Sequence, residues 1–263
     1  MKILITNDDG IQALGLKLLV EWAKKLGEVT VVAPKTEQSG KSHAIEFKQP
    51  VEIKKVPFDG VTAAYAVDST PADCVRFAFL GLKTTYDLVL SGINCGVNVG
   101  ADVVYSGTVG AIFEASRLSV PSIAFSAFPD GQEEAAKYLD GVYAYIVDNN
   151  LFKETPIYNV NIPKNPQGLR MTYQGSPYFS DRFELVEGDM YMQAGEQISD
   201  ACPDDLDRDT VAIHKNIISV TPLLATRTDM KVYEKYKTSE IIFEYLNKLS
   251  SLFFAIARIY DEN

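Results

Sequence analysis

The sequence predicts an α/β protein built on a doubly wound, mostly parallel, Rossmann-like sheet. Two observations support this prediction. Short apolar runs suited to buried strands alternate with stretches of helical periodicity through most of residues 1–150. In addition, a strand, a helix and a second strand fit within residues 2–33, as in a right-handed βαβ unit. Sheets of this class bind ligands beyond the carboxyl ends of their strands, so functional side chains are expected there.

The first βαβ unit comprises a strand at 2–6, a helix at 12–26 and a strand at 28–33. The helix is assigned from an apolar stripe that lies opposite charged residues. Gly27 ends it, because glycine readily adopts the backbone conformation found just past a helix end. The members of the stripe are Leu14, Leu18, Trp22 and Leu26.

The rest of the first 150 residues continues this alternation, with a β-hairpin excursion after the second strand. A further helix begins at Thr70, which can cap it, and Pro71 suits its first position. The other predicted elements, in chain order, are strands at 42–48, 51–56 and 61–67, a strand at 86–90, a glycine-dotted loop at 91–107, a helix at 108–117, a strand at 120–127 and a helix around 135–146.

The pattern changes near residue 150. Strands are predicted at 156–163, 169–173 and 217–222, whereas 178–209 is polar, aromatic and not assignable. A long amphipathic helix is predicted at 239–259. We therefore expect an α/β core at 1–150 that carries the site, and a sheet extension with a C-terminal helix at 151–263 within the same domain.

Charge and composition exclude several functions. Lys and Arg number 25 against 35 Asp and Glu, so the net charge of −10 disfavours binding to a nucleic-acid polymer. The two histidines exclude a three-histidine zinc site. No apolar run is long enough for a membrane span or a signal peptide. Three cysteines without a Cys-x-x-Cys pair fit a reducing cytoplasm, which is the expected location.

Three local patterns resemble phosphate chemistry but fail on inspection. Gly40-Lys41-Ser42 resembles the end of a P-loop, yet Lys35 stands where its first glycine is needed. Cys202 and Arg208 have cysteine-phosphatase spacing, but three aspartates between them would repel phosphate and suppress a thiolate. The acidic pair after the first strand also suggests a phospho-receiver domain, whose acceptor aspartate would fall on Gly92.

Four polar clusters follow predicted strands on one edge of the sheet. Asp8 and Asp9 come first, and Gly10 gives the chain the freedom to leave the strand so that both carboxylates can converge. Adjacent carboxylates repel each other, and a hard cation with oxygen ligands relieves this. Ser39 follows the second strand, as a plausible neutral oxygen ligand. A solvated acidic turn is the alternative interpretation.

The other two clusters suit an anion. The loop Ser91–Gly100 interleaves glycines with Asn94 and Asn98, which offer amide donors and oxygens without charge. Ser106, Gly107 and Thr108 open a helix, whose N-terminal N–H groups and hydroxyls form an anion site. Simple helix capping and a flexible loop are the alternatives. The four clusters together predict a cation and a phosphate on the same sheet edge.

These motifs, in this order, resemble the SurE family (survival protein E) of metal-dependent 5′/3′-nucleotidases. The resemblance covers residues 1 to about 223 and is densest in the first half. The matching segments are Ile3–Gly10, Val32–Pro34, Gln38–Gly40, Thr70–Val75, Ser91–Asn94, Gly96, Asn98, Gly100, Tyr105–Val109, Asn159–Pro163 and Val220–Leu223.

The resemblance implies specific roles. One divalent metal ion, Mg²⁺ or Mn²⁺, would be held by Asp8, Asp9, Ser39 and Asn94, with Asp8 and Asp9 also catalytic. The phosphate contacts would be Asn98, Ser106, Gly107 and Thr108. It also implies a homodimer or homotetramer in which the C-terminal segment is an oligomerisation extension.

The resemblance thus implies a phosphomonoesterase that uses metal-activated water to hydrolyse nucleoside 5′-monophosphates. Nucleoside 3′-monophosphates and short polyphosphate are further candidate substrates. A haloacid-dehalogenase-like phosphatase is an alternative, although its Asp-x-Asp strand end is absent because Asp8 and Asp9 are adjacent. A non-catalytic nucleotide or metal sensor is the other alternative.

Overall fold

The computed structural model describes residues 1–198, 202–237 and 240–261. These residues form two compact units, 1–225 and 226–263, which are considered separately. The main unit contains a nine-stranded sheet and a separate two-stranded sheet. The strands are β1 Lys2–Thr6, β2 Glu28–Pro34, β3 Ile53–Lys55, β4 Ala63–Val67, β5 Leu88–Cys95, β6 Ser122–Ala127, β7 Ile157–Ile162, β8 Gly168–Met171, β9 Phe179–Glu187, β10 Met190–Gln197 and β11 Ile217–Pro222.

The large sheet has the order β3-β4-β2-β1-β5-β6-β7-β11-β8. All neighbouring pairs from β4 to β7 are parallel, and so are β11 and β8. The pairs β3–β4 and β7–β11 are antiparallel. The predicted doubly wound, mostly parallel α/β fold is therefore confirmed.

Helices cover both faces of this sheet, because two apolar clusters lie on its opposite sides. One cluster joins Leu16, Leu19 and Val142 to the sheet, and the other joins Val75 and Ala111 to it. The helices of the described residues are α1 Leu14–Ala23, α2 Pro71–Arg76 (extended by a π-helical turn at Phe77–Gly81), α3 Gly107–Arg117, α4 Gln132–Ala136, α5 Leu139–Asp148, α6 Asp209–His214, α7 Met230–Tyr236 and α8 Glu240–Asp261, with 3-10 turns at Gly100–Tyr105 and Leu151–Lys153.

The register of the central strands aligns polar residues in one row. Asn94 of β5 pairs with Ser126 of β6, and Ser126 pairs with Asn161 of β7. Ser219 of β11 continues the row next to Asn161. Residues that pair in register share a face of the sheet, so Asn94, Ser126 and Asn161 lie side by side.

The hairpin excursion differs from its prediction. Residues 42–48 form no strand, since backbone N–H groups there donate to side chains: Glu46 N–H to the Asp73 carboxylate at 2.8 Å and Lys48 N–H to the Glu46 carboxylate at 2.6 Å. The hairpin is β3 with β4, and β4 belongs to the main sheet through its parallel pairing with β2. Among the other shifts, β5 continues to Cys95, α1 ends at Ala23 and not at residue 26, and the helix around 135–146 is two helices.

The segment 178–209 contains the long hairpin β9–β10 and the start of α6. Large apolar side chains of this hairpin are exposed, including Phe183, Leu185 and Tyr191. An isolated two-stranded hairpin is marginally stable in water, so its apolar faces need a partner.

The second unit consists of α7 and α8. The predicted helix at 239–259 corresponds to α8, although Ser239 lies outside the described residues. Its side chains Phe243, Leu246 and Phe253 are exposed. Within the described residues, every helix is too short or too polar to span a lipid bilayer.

Candidate active site

The predicted site residues lie at the carboxyl ends of β1, β2 and β5 and at the start of α3. Gly10 turns the chain away from β1 with a φ of 101°, and a side chain on it would press against the backbone of Thr36. The Gln38 N–H donates to the Asp8 carbonyl at 2.7 Å, which ties the loop after β2 to the end of β1. A backbone hydrogen bond therefore holds the acidic pair next to the loop that contains Ser39, called here the Ser39 loop.

Asp8 is 4% exposed and directed at the start of α3. Its carboxylate accepts hydrogen bonds from the Thr108 N–H at 3.1 Å and from the Thr108 hydroxyl. Burial raises the pKa of Asp8 from its usual 3.8 to about 6; the Thr108 hydroxyl opposes this rise and the Asp9 carboxylate adds to it. A negative charge on Asp8 is thus costly without a cation.

Asp9 is less buried than Asp8 and faces β5. It accepts the Cys95 N–H at 3.0 Å. Burial is the main cause of its raised pKa, with a further contribution from the Glu37 carboxylate, while the Cys95 N–H lowers it. The Ser39 hydroxyl donates to Glu37 at 2.6 Å, so its oxygen lone pairs remain for a ligand.

Asn94 donates its amide nitrogen to the Gly96 carbonyl at 2.7 Å, which leaves its side-chain oxygen as an acceptor. The two carboxylates, the Ser39 hydroxyl and the Asn94 amide offer oxygen atoms, the ligands that hard divalent cations take in proteins. Within the described residues there is no group of three His, Cys, Asp or Glu side chains that could hold a metal ion. Asp8, Asp9, Ser39 and Asn94 also include none of the nitrogen or sulfur ligands of a closed structural zinc site.

The start of α3 is built around Asp8. Ser106 caps the helix by accepting the Val109 N–H at 3.1 Å. Gly107 leaves room for Asp8, because a Cβ there would lie 3.0 Å from the Asp8 Cβ. Thr108 is buried and gives both donors to Asp8. A phosphate contact by Thr108 stays a prediction, and the described contacts place Thr108 as support for Asp8.

Asn98 lies in the loop after β5. Its N–H donates to the Asn161 side-chain oxygen at 2.7 Å, and its carbonyl accepts from Asn159 at 2.7 Å and Asn161 at 2.8 Å. Its own side-chain amide donates to the Ser126 hydroxyl at 2.8 Å. The backbone and the side chain of Asn98 are both anchored to β6 and β7.

A cavity of about 380 Å³, within the size range of small-molecule sites, lies at these strand ends. Of the predicted site residues, Asp9, Asn94, Gly107 and Thr108 are not among those that line it. Asp8, Ser39, Asn98 and Ser106 line one side of it. The hairpin β9–β10 lines the other side with Phe179, Asp181 and Gln193. The hairpin starts close to the site because the Asp102 carboxylate accepts the Tyr178 N–H at 2.7 Å and the Phe179 N–H at 3.0 Å.

A buried ion cluster anchors the Ser39 loop from its far side. Glu114 of α3 is 2% exposed and contacts His43 at 2.8 Å and Arg76 at 3.0 Å. Ser42 donates its hydroxyl to the Val104 carbonyl at 2.7 Å. His43 is thus a structural residue that helps to fix this loop.

Sequence reasoning assigned no function to Asn159, Asn161 or Ser126. The signal that could have found the first two is Asn-Val-Asn within a strand predicted to be buried. Alternation puts both amides on one face, and a buried amide needs hydrogen-bond partners.

Comparison with known proteins gives a consistent result. The family model for survival protein SurE matches residues 3–181. The chain belongs to the SurE family. A SurE relative from Thermoanaerobacter sp. (strain X514), named 5′-nucleotidase SurE, is 38% identical over 233 residues, which are 85% of this chain and 92% of the relative. Another of the same name, from Thermosipho melanesiensis, is 37% identical over 257 residues, 92% of this chain and 100% of the relative.

The fold comparison agrees with the family assignment. The crystal structure of the SurE protein from Aquifex aeolicus aligns with a TM-score of 0.76 and 35% identity, and the alignment covers 90% of this SurE chain and 98% of that one. The resemblance inferred from the motifs is therefore confirmed over most of the chain.

Proposed function

We propose that this SurE chain hydrolyses nucleoside 5′-monophosphates to nucleoside and phosphate. The observation that carries this proposal is that Asp8, Ser39, Asn98 and Ser106 line a single cavity at the carboxyl ends of the strands. Asp8 and Ser39, two candidate cation ligands, thus share a cavity with Asn98 and Ser106, two neutral groups suited to a phosphoryl group. The names of the SurE relatives, 5′-nucleotidase, support the same reaction.

We propose that one Mg²⁺ or Mn²⁺ ion belongs to the site. Asp8, Asp9, Ser39 and Asn94 would hold it through oxygen atoms. Such an ion supplies charge to a phosphoryl oxygen and lowers the pKa of water, so that a nucleophile exists at neutral pH. The raised pKa values of both aspartates support this assignment, because a cation relieves the cost of burying their charge.

The protein's own groups would bind and orient the substrate. Asn98 can donate an amide N–H to a phosphoryl oxygen as negative charge develops there. The Ser106 hydroxyl, at the N-terminus of α3, lies at the end of the helix that favours anions. Phe179 and Tyr105 add aromatic surface to the cavity on which a base can stack.

A substrate panel tests the proposal. Phosphate release from nucleoside 5′- and 3′-monophosphates and from short polyphosphate is measured with Mg²⁺, with Mn²⁺ and with a chelator. We expect release from 5′-monophosphates that the chelator abolishes and the added ion restores. Undiminished release in the chelator would contradict the metal assignment, and release from none of these substrates would contradict the function.

Two other readings predict different results. A haloacid-dehalogenase-like enzyme would form an acyl-phosphate on an aspartate, which rapid quenching and mass measurement of the protein can detect. A nucleotide or metal sensor would bind its ligand without turnover. We expect turnover and no phosphorylated protein.

We also propose that the chain works as a homodimer or homotetramer in the cytoplasm. The exposed apolar side chains of β9–β10 and of α8 support assembly with a second copy. The free thiols of Cys74 and Cys95 support a reducing location. Sedimentation of the full chain and of a chain truncated near residue 238 tests assembly, and unchanged sedimentation after truncation would rule out a role for α8.

A further inference from the structure

The side chain of Asn161 pairs with the backbone of Asn98 as a neighbouring strand would. It accepts the Asn98 N–H at 2.7 Å and donates to the Asn98 carbonyl at 2.8 Å. A primary amide carries one acceptor and two donors, so a single side chain can satisfy both backbone groups of one residue. This pairing joins residues that are 63 positions apart in the chain.

Two further contacts complete the arrangement. Asn159 donates to the same Asn98 carbonyl at 2.7 Å, which occupies both lone pairs of that oxygen. Ser126 accepts the side-chain amide of Asn98 at 2.8 Å. Asn159, Asn161 and Ser126 are all fully buried. Water does not compete for the hydrogen bonds of such buried side chains, so they hold Asn98 in one geometry.

The local backbone explains why side chains perform this task. Gly96 and Gly100 flank Asn98 with φ values of 140° and 61°, which are incompatible with a continuous strand. The loop therefore cannot extend the ladder of β5, and its N–H and carbonyl groups need other partners. Asn159 and Asn161 point to the same side of β7, because they are two residues apart.

We propose that Asn161, supported by Asn159, is a positioning residue for the phosphoryl group. It fixes Asn98 at the wall of the cavity that Asp8 also lines, so that the Asn98 amide is in place before the substrate arrives. A donor that needs no reorganisation stabilises developing charge better than a mobile one. This inference rests on the proposed phosphatase function and adds residues that do not line the cavity.

A double-mutant cycle tests whether Asn161 acts through Asn98. Asn98→Ala should lower kcat/KM for a nucleoside 5′-monophosphate by about 100-fold, the loss expected for one oxyanion donor. Asn161→Ala should lower it by about 10–100-fold, as other supporting residues do. In the Asn98→Ala background, Asn161→Ala should cost less than about threefold, since the side chain it positions is already gone. Losses that multiply in the double variant would overturn the proposal.

Ser219→Ala is the matched control. Ser219 is a fully buried polar residue next to Asn161 in the same row of the sheet, and its hydroxyl has no hydrogen-bond partner. A defect that came only from disturbing the sheet would appear in this variant too. We expect its kcat/KM to stay within about twofold of the parent, because removing a hydroxyl that has no hydrogen-bond partner breaks no contact of the Asn98 network. An equal loss in Ser219→Ala and Asn161→Ala would overturn the proposal.

Asn159→Ala keeps the question answerable should Asn161→Ala fail to fold, because it removes one of the two donors to the Asn98 carbonyl. We expect a loss smaller than that of Asn161→Ala, with Mn²⁺ affinity unchanged. Affinity for inorganic phosphate in the presence of Mn²⁺ is measured on every variant. If the parent releases no phosphate, the proposed function fails, and the same cycle is evaluated on phosphate affinity. Equal phosphate affinity in all variants would then overturn the positioning role.

Discussion

At the end of β1, Asp8 and Asp9 are carboxylates whose pKa values are raised by burial. In the loop after β5, Asn98 is neutral, and its N–H, carbonyl and side-chain amide are all hydrogen-bonded to buried groups. We call these the acidic half and the amide half. Both occupy the same edge of one sheet, but only the amide half is electrostatically satisfied without a ligand.

This difference shows which half of the site depends on a bound ligand. Burying the carboxylate charges of the acidic half costs free energy, and a bound cation removes that cost. The geometry and the charge of this half therefore depend on metal binding. The amide half gains little from the cation, because its donors are held by β6 and β7. Substitutions in the two halves should therefore have separable effects on metal affinity and on phosphate binding.

The largest effect is expected from Asp8→Asn. It removes one negative charge from the acidic half with little change in shape. Mutating residues that only support metal ligands already lowers metal affinity by about 10–100-fold, so Asp8→Asn should lower Mn²⁺ affinity by more than about 100-fold. Turnover should fall in parallel. Calorimetric titration of Mn²⁺ and phosphate-release assays measure both quantities. Parent-like metal binding and hydrolysis in this variant would show that the acidic half is wrongly assigned.

Asn98→Ala should separate the two halves. Turnover is expected to fall by about 100-fold, the cost of one lost oxyanion donor. Mn²⁺ affinity should change little, because the four metal-ligand candidates keep their positions. The same titration and assay, performed on both variants side by side, check the contrast. A matching loss of Mn²⁺ affinity would mean that the halves are not independent.

Asp8→Asn should also stabilise the metal-free protein at pH 7.5. An asparagine can keep both contacts to Thr108, by accepting its N–H and donating to its hydroxyl, without a buried charge. The rise of the Asp8 pKa from 3.8 to about 6 means that the buried charge destabilises the parent, and its removal should raise the free energy of unfolding by about 1–3 kcal/mol. Urea unfolding in a chelator measures this gain.

The pH dependence gives that stability prediction its control. The folded-state pKa of Asp8 lies above the unfolded one, so the carboxylate costs stability above pH 6 and the cost disappears as the pH falls to 3.8. The advantage of Asp8→Asn should therefore shrink toward pH 4. Asp140→Asn is the matched variant, since hydrogen bonds from Trp22 and Lys25 lower the pKa of Asp140. A gain of the same size in Asp140→Asn would contradict the explanation.

The smallest effect is expected from Cys95→Ala. Cys95 adjoins the acidic half through its backbone, and burial and the Asp9 carboxylate raise the pKa of its thiol. The thiol is therefore a poor nucleophile, and its removal leaves the N–H that contacts Asp9. Phosphate release should stay within about threefold of the parent, because substitutions of side chains outside a hydrogen-bond network have small effects. Cys202→Ala should behave in the same way, and a large loss in either would indicate thiol chemistry.

The acidic half was predictable from local sequence. A buried strand that ends in Asp8, Asp9 and Gly10 places two carboxylates at a sheet edge whatever the remote contacts are. The start of α3 was predictable for the same reason, since Ser106 is a normal capping residue. That Thr108 gives its donors to Asp8 was not predictable, because this choice depends on residues 100 positions apart.

The amide half was only partly predictable. The glycines around Asn98 indicate a loop that approaches a ligand, but its partners Asn159 and Asn161 come from β7, far along the chain. Residues 42–48 were misassigned for a related reason. Their apolar and polar alternation suggests a strand, whereas Glu46 and Asp73 take the backbone N–H groups that a strand would use. Competition by side chains for the backbone is not visible in periodicity.

The row formed by Asn94, Ser126 and Asn161 has a consequence for how such a site can diverge. Neighbouring strands lie about 4.8 Å apart, so Asn94 on β5 and Asn161 on β7 are separated by two strand spacings, about 10 Å. Insertions in the surrounding loops leave this separation intact. An insertion of one residue within β6 or β7 would instead shift the row by about 3.3 Å and turn its side chains to the opposite face. Variation in length that preserves activity should therefore be confined to the loops.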